Sequence, residues 1–549
     1  MRKQLLCLVL TLCLLVSFGF SVCAEPADEP QQVTDANIPV ADASDGSSVM
    51  PTSAFAAYTY DCWGNTIQCP NPYSLVRKVD GVALGTGDFK NVEDLFAKNN
   101  YVYLTVNGSD EGDDALIRMD ENLNLVNRWT EYSNKGKKTS FQKLRGIFVT
   151  DEGLIYVAEE ESRNIYAFAV KGEGKAATLD LKKTIVRPKL EDSPVISSDF
   201  VEHYIPNKLV VDRTDRIYVA AEHVNEGIVT FNKEGKFDGF LAAGKVTVDP
   251  FTKFMKKYVY TDEQKRRIQT AAPVEYNNID MDADGFPFVT LNPDEKQKTT
   301  ILSEIKAKKG SEQGALVRRL NMMGTDILKR DGYMPPVGDA DIVDVMVNKD
   351  AGDYEGLSEI KDVSCGDCGT FALLDLNRKH IFVYNAEGYL LYAFGGPDVS
   401  AGGIKTPIAL AQNGENIYVL DSDSRSIFMF KQTDFAKAVM SAIRLEKDGR
   451  YSEASECWDK VLDLDATYDL AYLGLGKTAY WKGDYEEASR LFKLCNNKTW
   501  YSKSWAELRK DVLAKWFMPI VLTIMGIIVL VFVLKIVKKR KAKKKEAAG

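Results

Sequence analysis

Leu144-Arg145-Gly146-Ile147-Phe148-Val149, the turn Asp151-Glu152-Gly153, Leu154-Ile155-Tyr156-Val157-Ala158 and Asn164-Ile165-Tyr166-Ala167-Phe168 follow one another in a single stretch of this 549-residue chain. Each apolar run is short, rich in β-branched and aromatic residues, and closed by Asp, Glu, Asn or Gly. That is the pattern of strands separated by tight turns. The form returns in Leu209–Asp212, Arg216–Ala220 and Gly227–Phe231, and again in Ile408–Ala411, Asn416–Asp421 and Ser426–Phe430. Less regular units centre on Val102-Tyr103-Leu104, on Ile279–Thr290 and on Phe371–Asp375, which brings the number to six. Small self-similar sheets that cannot bury their faces alone predict a radial arrangement, so residues 58–433 read as a six-bladed β-propeller and the fold as mainly β. The last unit has only three strands before the pattern turns helical at Asp434, while Tyr73–Val79 reads as a lone strand. Pairing the two would close the ring and leave no open edge.

Two insertions interrupt the units. Residues 245–275 carry Phe251, Phe254, Met255 and Tyr258 at helical spacing, followed by the capping-box pattern Thr261-Asp262-Glu263-Gln264, and read as a helical excursion on one propeller face. The stretch Lys296–Gln313, with Lys296, Lys298, Lys306, Lys308 and Lys309, reads as a solvated loop.

Beyond Asp434 the period changes. Gly449, Tyr451, Ala454 and Trp458 recur as Gly483, Tyr485, Ala488 and Phe492, each 34 residues later, which is the tetratricopeptide (TPR) period. Residues 434–497 are therefore predicted as two helical hairpins, with a connecting helix at 498–515. Two hairpins fall short of the three repeats that an independent array needs, so they must lean on the propeller, on the next helix or on a partner.

The strings Gly153–Ala158, Arg216–Ala220 and Asn416–Asp421, each followed by a polar corner and another strand, resemble NHL-type repeats. Together with Tyr392-Ala393-Phe394-Gly395-Gly396 and the helical tail, the layout is similar to a group of membrane-anchored bacterial NHL-repeat proteins. Their genes often neighbour those of sugar ABC transporters, so the resemblance implies a bacterial cell-surface protein associated with such a transporter.

The termini set the topology. Arg2 and Lys3, the apolar block Leu5–Phe20 and the small residues around Cys23-Ala24 read as a signal peptide over residues 1–24. Residues 25–57, rich in Ala, Asp, Ser and Pro, read as a disordered linker. Trp516–Leu534 contains 19 residues without a charge, and a membrane helix is predicted at 516–537, followed by a basic tail at 538–549. The tail would stay in the cytoplasm and the N-terminal domains outside, held by a single pass. The chain carries a formal charge of −8; because the tail from Lys535 and the Arg2-Lys3 pair are positive by 7 and 2, the segment between them carries about −17. A surface of that sign excludes nucleic acid as a partner.

Six cysteines remain after the leader: Cys62, Cys69, Cys365, Cys368, Cys457 and Cys495. Six allow fifteen pairings, among which sequence does not choose; Cys62 and Cys69 read as a local bridge, and Cys365–Cys368 as a turn disulfide or two inert thiols, with a redox or zinc role as the alternative. A zinc site would need more than the three histidines, His203, His223 and His380. No nucleophile elbow, His-Glu-x-x-His, Walker or dinucleotide motif is present. The acids Glu159, Glu160, Glu161, Glu222, Asp280, Asp282 and Asp284 raise calcium, but Asp at strand corners usually bonds the local backbone, and Asp280-Met281-Asp282-Ala283-Asp284-Gly285 reads as a turn. No catalytic residue, metal or cofactor is assigned. The sequence points to a non-enzymatic scaffold whose propeller and hairpins bind extracytoplasmic proteins. A carbohydrate or small-solute binding module and a metal-dependent lactonase-type hydrolase are the alternatives.

Overall fold

The computed structural model describes residues 57–109, 112–242, 275–293, 295–306, 315–340, 357–396 and 403–546. The leader, the linker up to residue 56 and residues 245–274 of the first insertion lie outside them.

Six sheets form, one for each predicted unit. Blade 1 comprises Asn91–Lys98, Tyr101–Asn107, Ala115–Asp120 and Leu125–Trp129, and blade 3 comprises Ile205–Val211, Ile217–Glu222, Ile228–Phe231 and Phe237–Leu241. Blades 2, 4, 5 and 6 open with Leu144–Val149, Tyr276–Met281, Ile360–Cys365 and Pro407–Asn413. These six opening strands pack side by side in a closed ring, each against the first strand of the next blade. The lone N-terminal strand, Tyr73–Asp80, pairs antiparallel with Ser426–Gln432, placing Val79 opposite Ile427 and Leu75 opposite Phe430. The ring is thus closed between the two ends of the sheet region, as the three-stranded last unit implies. Asp and Asn at the strand corners bond their own turns: Asp120 Oδ1 accepts from the Asn122 and Asn124 amides, and Asp212 Oδ1 accepts from those of Thr214 and Arg216.

Two strand pairs were not foreseen. Tyr58–Tyr60 and Thr66–Gln68 extend blade 5, with Tyr58 opposite Ala393. Glu131–Asn134 and Lys137–Ser140 extend blade 2 through a parallel bridge between Ser133 and Asp180. Both pairs are short and largely polar, so neither carries an apolar run that marks it as strand. Among the described residues blade 4 has three strands, and its outer edge is covered by chain that follows: the Ile327 amide bonds Arg319 O at 2.7 Å and the Arg330 guanidinium bonds Val317 O at 2.9 Å.

Helix α1 is Ser198–His203, opened by Ser197, whose hydroxyl accepts from the Phe200 amide. Helix α2, Glu295–Lys306, corrects the reading of Lys296–Gln313 as a solvated loop as far as Lys306; residues 307–313 lie outside the described residues. Its Ile301 and Ile305, one turn apart, are buried against Phe288, Leu316 and Phe371. That apolar pair outweighs the lysines around it.

The C-terminal region holds α3 (Asp434–Lys447), α4 (Tyr451–Leu464), α5 (Asp469–Lys482) and α6 (Tyr485–Leu494). The first two pack together, as do the second two. Ala454, Trp458, Ala488 and Phe492 are buried, Tyr451 and Tyr485 open α4 and α6, and Gly449 and Gly483 adopt φ of +75° and +84° just past α3 and α5. A Cβ on Gly474 would lie 2.2 Å from Trp458 Nε1, and one on Gly476 would lie 2.6 Å from the Phe492 ring. Glycine at these two positions therefore lets α5 approach α4 on one side and α6 on the other.

What the hairpins lean on is visible in their core. Phe435, Val439, Trp458, Tyr468, Leu473 and Phe492 belong to the same buried cluster as Leu391, Tyr392 and Phe394 of blade 5 and Phe428 and Phe430 of blade 6. Tyr468 OH donates to Leu391 O at 2.8 Å, Asn497 Nδ2 donates to Tyr389 OH at 3.0 Å, and Lys477 ion-pairs with Glu387. Helix α5 is buried on almost every side because it faces its own pair and the propeller together. The other end is covered by α7 (Lys498–Glu546), whose Trp500 stacks on Phe492. The predicted connecting helix and membrane helix are one continuous helix, with Pro519 inside it. Among the described residues α7 is the helix long and apolar enough to cross a membrane, and the side chains of its apolar stretch are exposed.

Candidate functional site: the axial channel

Every opening strand carries a register irregularity at the same place, between Val92 and Asp94, Leu144 and Ile147, Pro206 and Lys208, Tyr276 and Asn278, Ile360 and Asp362, and Pro407 and Ala409. Such a bulge leaves one residue unpaired and re-aims the side chain that follows. In four blades that next residue is polar: Asp94, Lys208, Asn278 and Asp362. All four line a cavity of about 630 Å³ on the propeller axis.

Lys208 from blade 3 forms an ion pair with Asp94 from blade 1 across the channel. Burial alone would lower the Lys208 ammonium, but Asp94, Asp362 and Glu93 more than offset it and hold it above the ordinary lysine range. The carboxylates also join neighbouring blades. Asp94 Oδ2 accepts from the Ile147 amide of blade 2 at 2.8 Å, Asp280 Oδ2 from the Cys365 amide of blade 5 at 2.6 Å, and Asp362 Oδ2 from the Leu410 amide of blade 6 at 2.6 Å. The second oxygen of each bonds the next amide of its own strand, those of Leu95, Met281 and Val363. Withdrawal from water pushes the Asp362 carboxyl up to about 7, with Lys208 opposing and Asp94 adding to the rise. The same cause pushes Asp280 up to about 6, against the bonds it accepts from Cys365 and Met281.

The cavity is also lined by Phe96 and Phe148, whose rings lie 5.0 Å apart, and by Ser364 and Gln412 of blades 5 and 6. Its mouth is formed where the opening strands end, at Lys98, Thr150, Asp212, Asp282 and Asn413. Helix α3 borders that mouth with Lys437, Met440 and Arg444, tied to the blades by Lys437–Glu415 at 3.1 Å and Arg444–Asp367 at 3.6 Å. Carboxylates outnumber cations two to one among the lining side chains.

The acids considered from sequence as calcium ligands do not converge. Glu160 and Glu222 pair with Arg145 at 2.5 and 3.6 Å, beside Glu93 at 3.3 Å, near the start of the opening strands. Glu159 accepts from Ser162 and the Gln142 amide, and Glu161 faces Lys143. Asp282 Oδ1 closes the turn to Asp284 and Phe286 while its Oδ2 bonds Arg319, so this run is a turn, as read. Among the described residues no group of three or more His, Cys, Asp or Glu is arranged to hold a metal ion.

The two local disulfides expected from sequence are not formed: Cys62, Cys69, Cys365 and Cys368 are free thiols. Within each pair the two sulfurs face different surroundings. Cys62 is bonded by Asn496 Nδ2 while Cys69 packs into the core shared by blades and hairpins; Cys365 packs among the blade 4 and 5 residues, whereas Cys368 turns to the shared core. Burial and the carboxylates of Asp280 and Asp282 push the Cys365 thiol well up, which leaves it a poor nucleophile despite its place in the cavity wall.

The channel residues Asp94, Lys208 and Asp362 were missed from sequence. Their signal was a charged residue directly before the apolar run of an opening strand, in Glu93-Asp94-Leu95, Asn207-Lys208-Leu209 and Lys361-Asp362-Val363.

Fold and site together define a six-bladed β-propeller with an acidic axial channel, fused to a helical bundle that ends in one long apolar helix. Solved structures similar to it include virginiamycin B lyase from Staphylococcus aureus (10% identity, 66% of this chain and 100% of that one, TM-score 0.35). Others are the allergen Mala s 1 of Malassezia sympodialis (10%, 65% and 96%, 0.34) and the PQQ-bound aldose sugar dehydrogenase of Streptomyces coelicolor (10%, 65% and 97%, 0.30). No protein-family model and no curated protein matches the chain. At these identities the likeness concerns the fold alone.

Proposed function

We propose that this protein is a membrane-tethered, non-enzymatic recognition module. The axial channel receives a small solute, the blade rims are the surfaces for extracytoplasmic protein partners, and the helical hairpins fix the ring to its anchor. The observation that carries this reading is the use made of the channel carboxylates. Asp94, Asp280 and Asp362 each spend both oxygens on backbone amides, and Asp94 also holds Lys208, so the polar centre works as a rigid receptacle. The shared core argues against the hairpins as a peptide groove, since α5 is already covered by the propeller. Association with a carbohydrate transporter belongs to this reading as a source of partners. The test is to solubilise the full chain in mild detergent and measure its melting temperature with a panel of small solutes, which a receptacle raises by mass action. Co-purifying membrane proteins are identified in parallel. No shift with any solute and a clean monomer would overturn the reading.

A lactonase-type hydrolase is the second reading, favoured by carboxyls at about 6 and about 7 on a cavity wall, the range in which general acids and bases operate. It requires turnover of lactone or ester substrates that disappears in Asp280→Asn and, for the metal-dependent form, with chelator.

A further inference from the structure

We propose that the axial channel binds a small organic cation, an amine or quaternary ammonium with an apolar body. This rests on the recognition reading above and adds the chemical class of the solute. Three observations converge on it. The cavity, about 630 Å³, is of the size that encloses a small molecule. Its lining includes Phe96 and Phe148, on the opening strands of blades 1 and 2 with rings 5.0 Å apart, and Asp280, Ser364 and Gln412 on those of blades 4, 5 and 6. Aromatic rings and carboxylates lining one cavity are surroundings that stabilise an ammonium group once its water is lost.

The third observation is the balance of charge. Lys208 is paired with Asp94 and also faces Asp362, so among the described residues one ammonium stands against the three carboxyls of Asp94, Asp280 and Asp362 at the floor. Lys98, the cation sensed by Asp280, is itself paired to Asp151 at 2.7 Å, and at the mouth Lys437 and Arg444 are paired to Glu415 and Asp367. The groups facing Asp362 are Lys208 of blade 3, Asp94 of blade 1 and Asp280 of blade 4; those facing Asp280 are Lys98, Cys365 and Asp362. An excess of negative charge therefore remains at the centre, in a propeller whose exported segment is acidic as a whole. A field of that sign draws cations inward and disfavours anions.

Linkage fixes how binding depends on pH. A cation favours the ionised carboxylates, so its affinity rises as pH increases through the range from about 6 to about 7 in which Asp280 and Asp362 lose their protons. Within that range, binding releases protons to the buffer.

The experiment is calorimetric titration of the detergent-solubilised full chain with benzyltrimethylammonium, with benzyl alcohol as the uncharged comparison and glucose as a neutral polyol, at pH 5 and pH 8. Expected are saturable binding of the ammonium compound, at least tenfold tighter at pH 8, and a binding heat at pH 6.5 that changes with the ionisation enthalpy of the buffer. Asp280→Asn, which keeps an acceptor for the Cys365 amide, is expected to lower the affinity at least tenfold. Phe148→Leu, a second variant that leaves the floor intact, is expected to lower it for the ammonium compound. Melting curves confirm that each variant is folded. Absence of ammonium binding, equal affinity at both pH values, or full affinity in folded Asp280→Asn would overturn the inference. If glucose binds instead and Asp280→Asn abolishes it, the cation inference falls and the recognition reading stands. If no probe binds and lactones are turned over, both fall.

Discussion

Replacing Lys208 by Met removes the one cation that the described residues place at the channel floor while keeping most of the side chain's length. Lys208 is paired with Asp94 and holds Asp362 down from across the axis, so the variant leaves two buried carboxyls facing each other without a counter-charge. Removing one partner of a buried ion pair costs about 3–5 kcal/mol. The dependence on pH distinguishes this cause from lost packing. A carboxyl raised from an ordinary value near 4 to about 7 binds its proton more tightly folded than unfolded. Its contribution to stability is therefore greatest at low pH and declines as pH rises toward the folded value, by about 4 kcal/mol in all. Without Lys208 the folded value moves higher still, and the decline extends past pH 7. The loss in Lys208→Met is thus expected to be about 3–5 kcal/mol at pH 8 and smaller at pH 5, where Asp362 is protonated and Asp94 alone is left without its partner. Urea unfolding of the solubilised chain followed by tryptophan fluorescence at both pH values measures it. Adding Asp94→Asn should recover part of the loss at pH 8, since a neutral pair replaces an unpaired charge. An equal loss at pH 5 and pH 8, or no recovery in the double variant, would show that the floor is held by packing and not by charge.

Gly474→Ala and Gly476→Ala each force a Cβ against Trp458 or Phe492, and both are expected to lose about 1–3 kcal/mol in thermal unfolding. Gly526→Ala on α7, where nothing lies within 4 Å, is expected to be silent. Trp458→Ala deletes a buried side chain and the donor that Glu446 accepts from at 2.6 Å, at a cost of about 3–5 kcal/mol. Because its core is shared, limited proteolysis of this variant is expected to open blades 5 and 6 together with the hairpins; cleavage confined to the hairpins would contradict one common core. Iodoacetamide is expected to modify Cys62 faster than Cys365, whose thiol is pushed well up by burial and two carboxylates, and peptide mass spectrometry reads the order.

The blades were legible in the sequence because each is written in local terms, an apolar run, a turn and a second run, and because Asp or Asn at the corner bonds a backbone amide only two to four residues away. The hairpins were legible for a similar reason: the 34-residue recurrence is a local steric demand, repeated where Gly474 meets Trp458 and Gly476 meets Phe492. The channel was not legible, since its partners are long-range. Lys208 and Asp94 are 114 residues apart, and Asp362 reaches an amide 48 residues on. A charged residue at the start of an apolar run reads as a strand boundary until the ring closes and the bulge turns it inward. The α2 helix was missed on different grounds, because five lysines dominate the composition of Lys296–Gln313 while only Ile301 and Ile305 do the packing.

The junction between ring and helices bears on what an anchor of this kind can transmit. Were the hairpins joined to the propeller only by the chain at Thr433, the ring would swing freely about that point, and the apolar helix would serve as a tether and nothing more. Instead, the apolar cluster spans both, Tyr468, Asn497 and Lys477 bond to blade 5 from three separate positions, and α3 is ion-paired to the mouth of the channel. Helix α7 then continues without a break from Trp500, packed on Phe492, into its apolar stretch. At about 1.5 Å per residue, the nineteen residues from Asn497 to Trp516 set the propeller roughly 28 Å from the start of that stretch. A rise of this length on a single helix fixes spacing and rotation together. Inserting two residues before Trp516 turns the ring by about 200° while adding only about 3 Å, whereas inserting seven adds about 10 Å with nearly the original orientation. If partners meet the ring from a fixed direction, the two-residue insertion should weaken their co-purification more than the seven-residue one; an equal effect of both would mean that distance, or nothing about the stalk, matters.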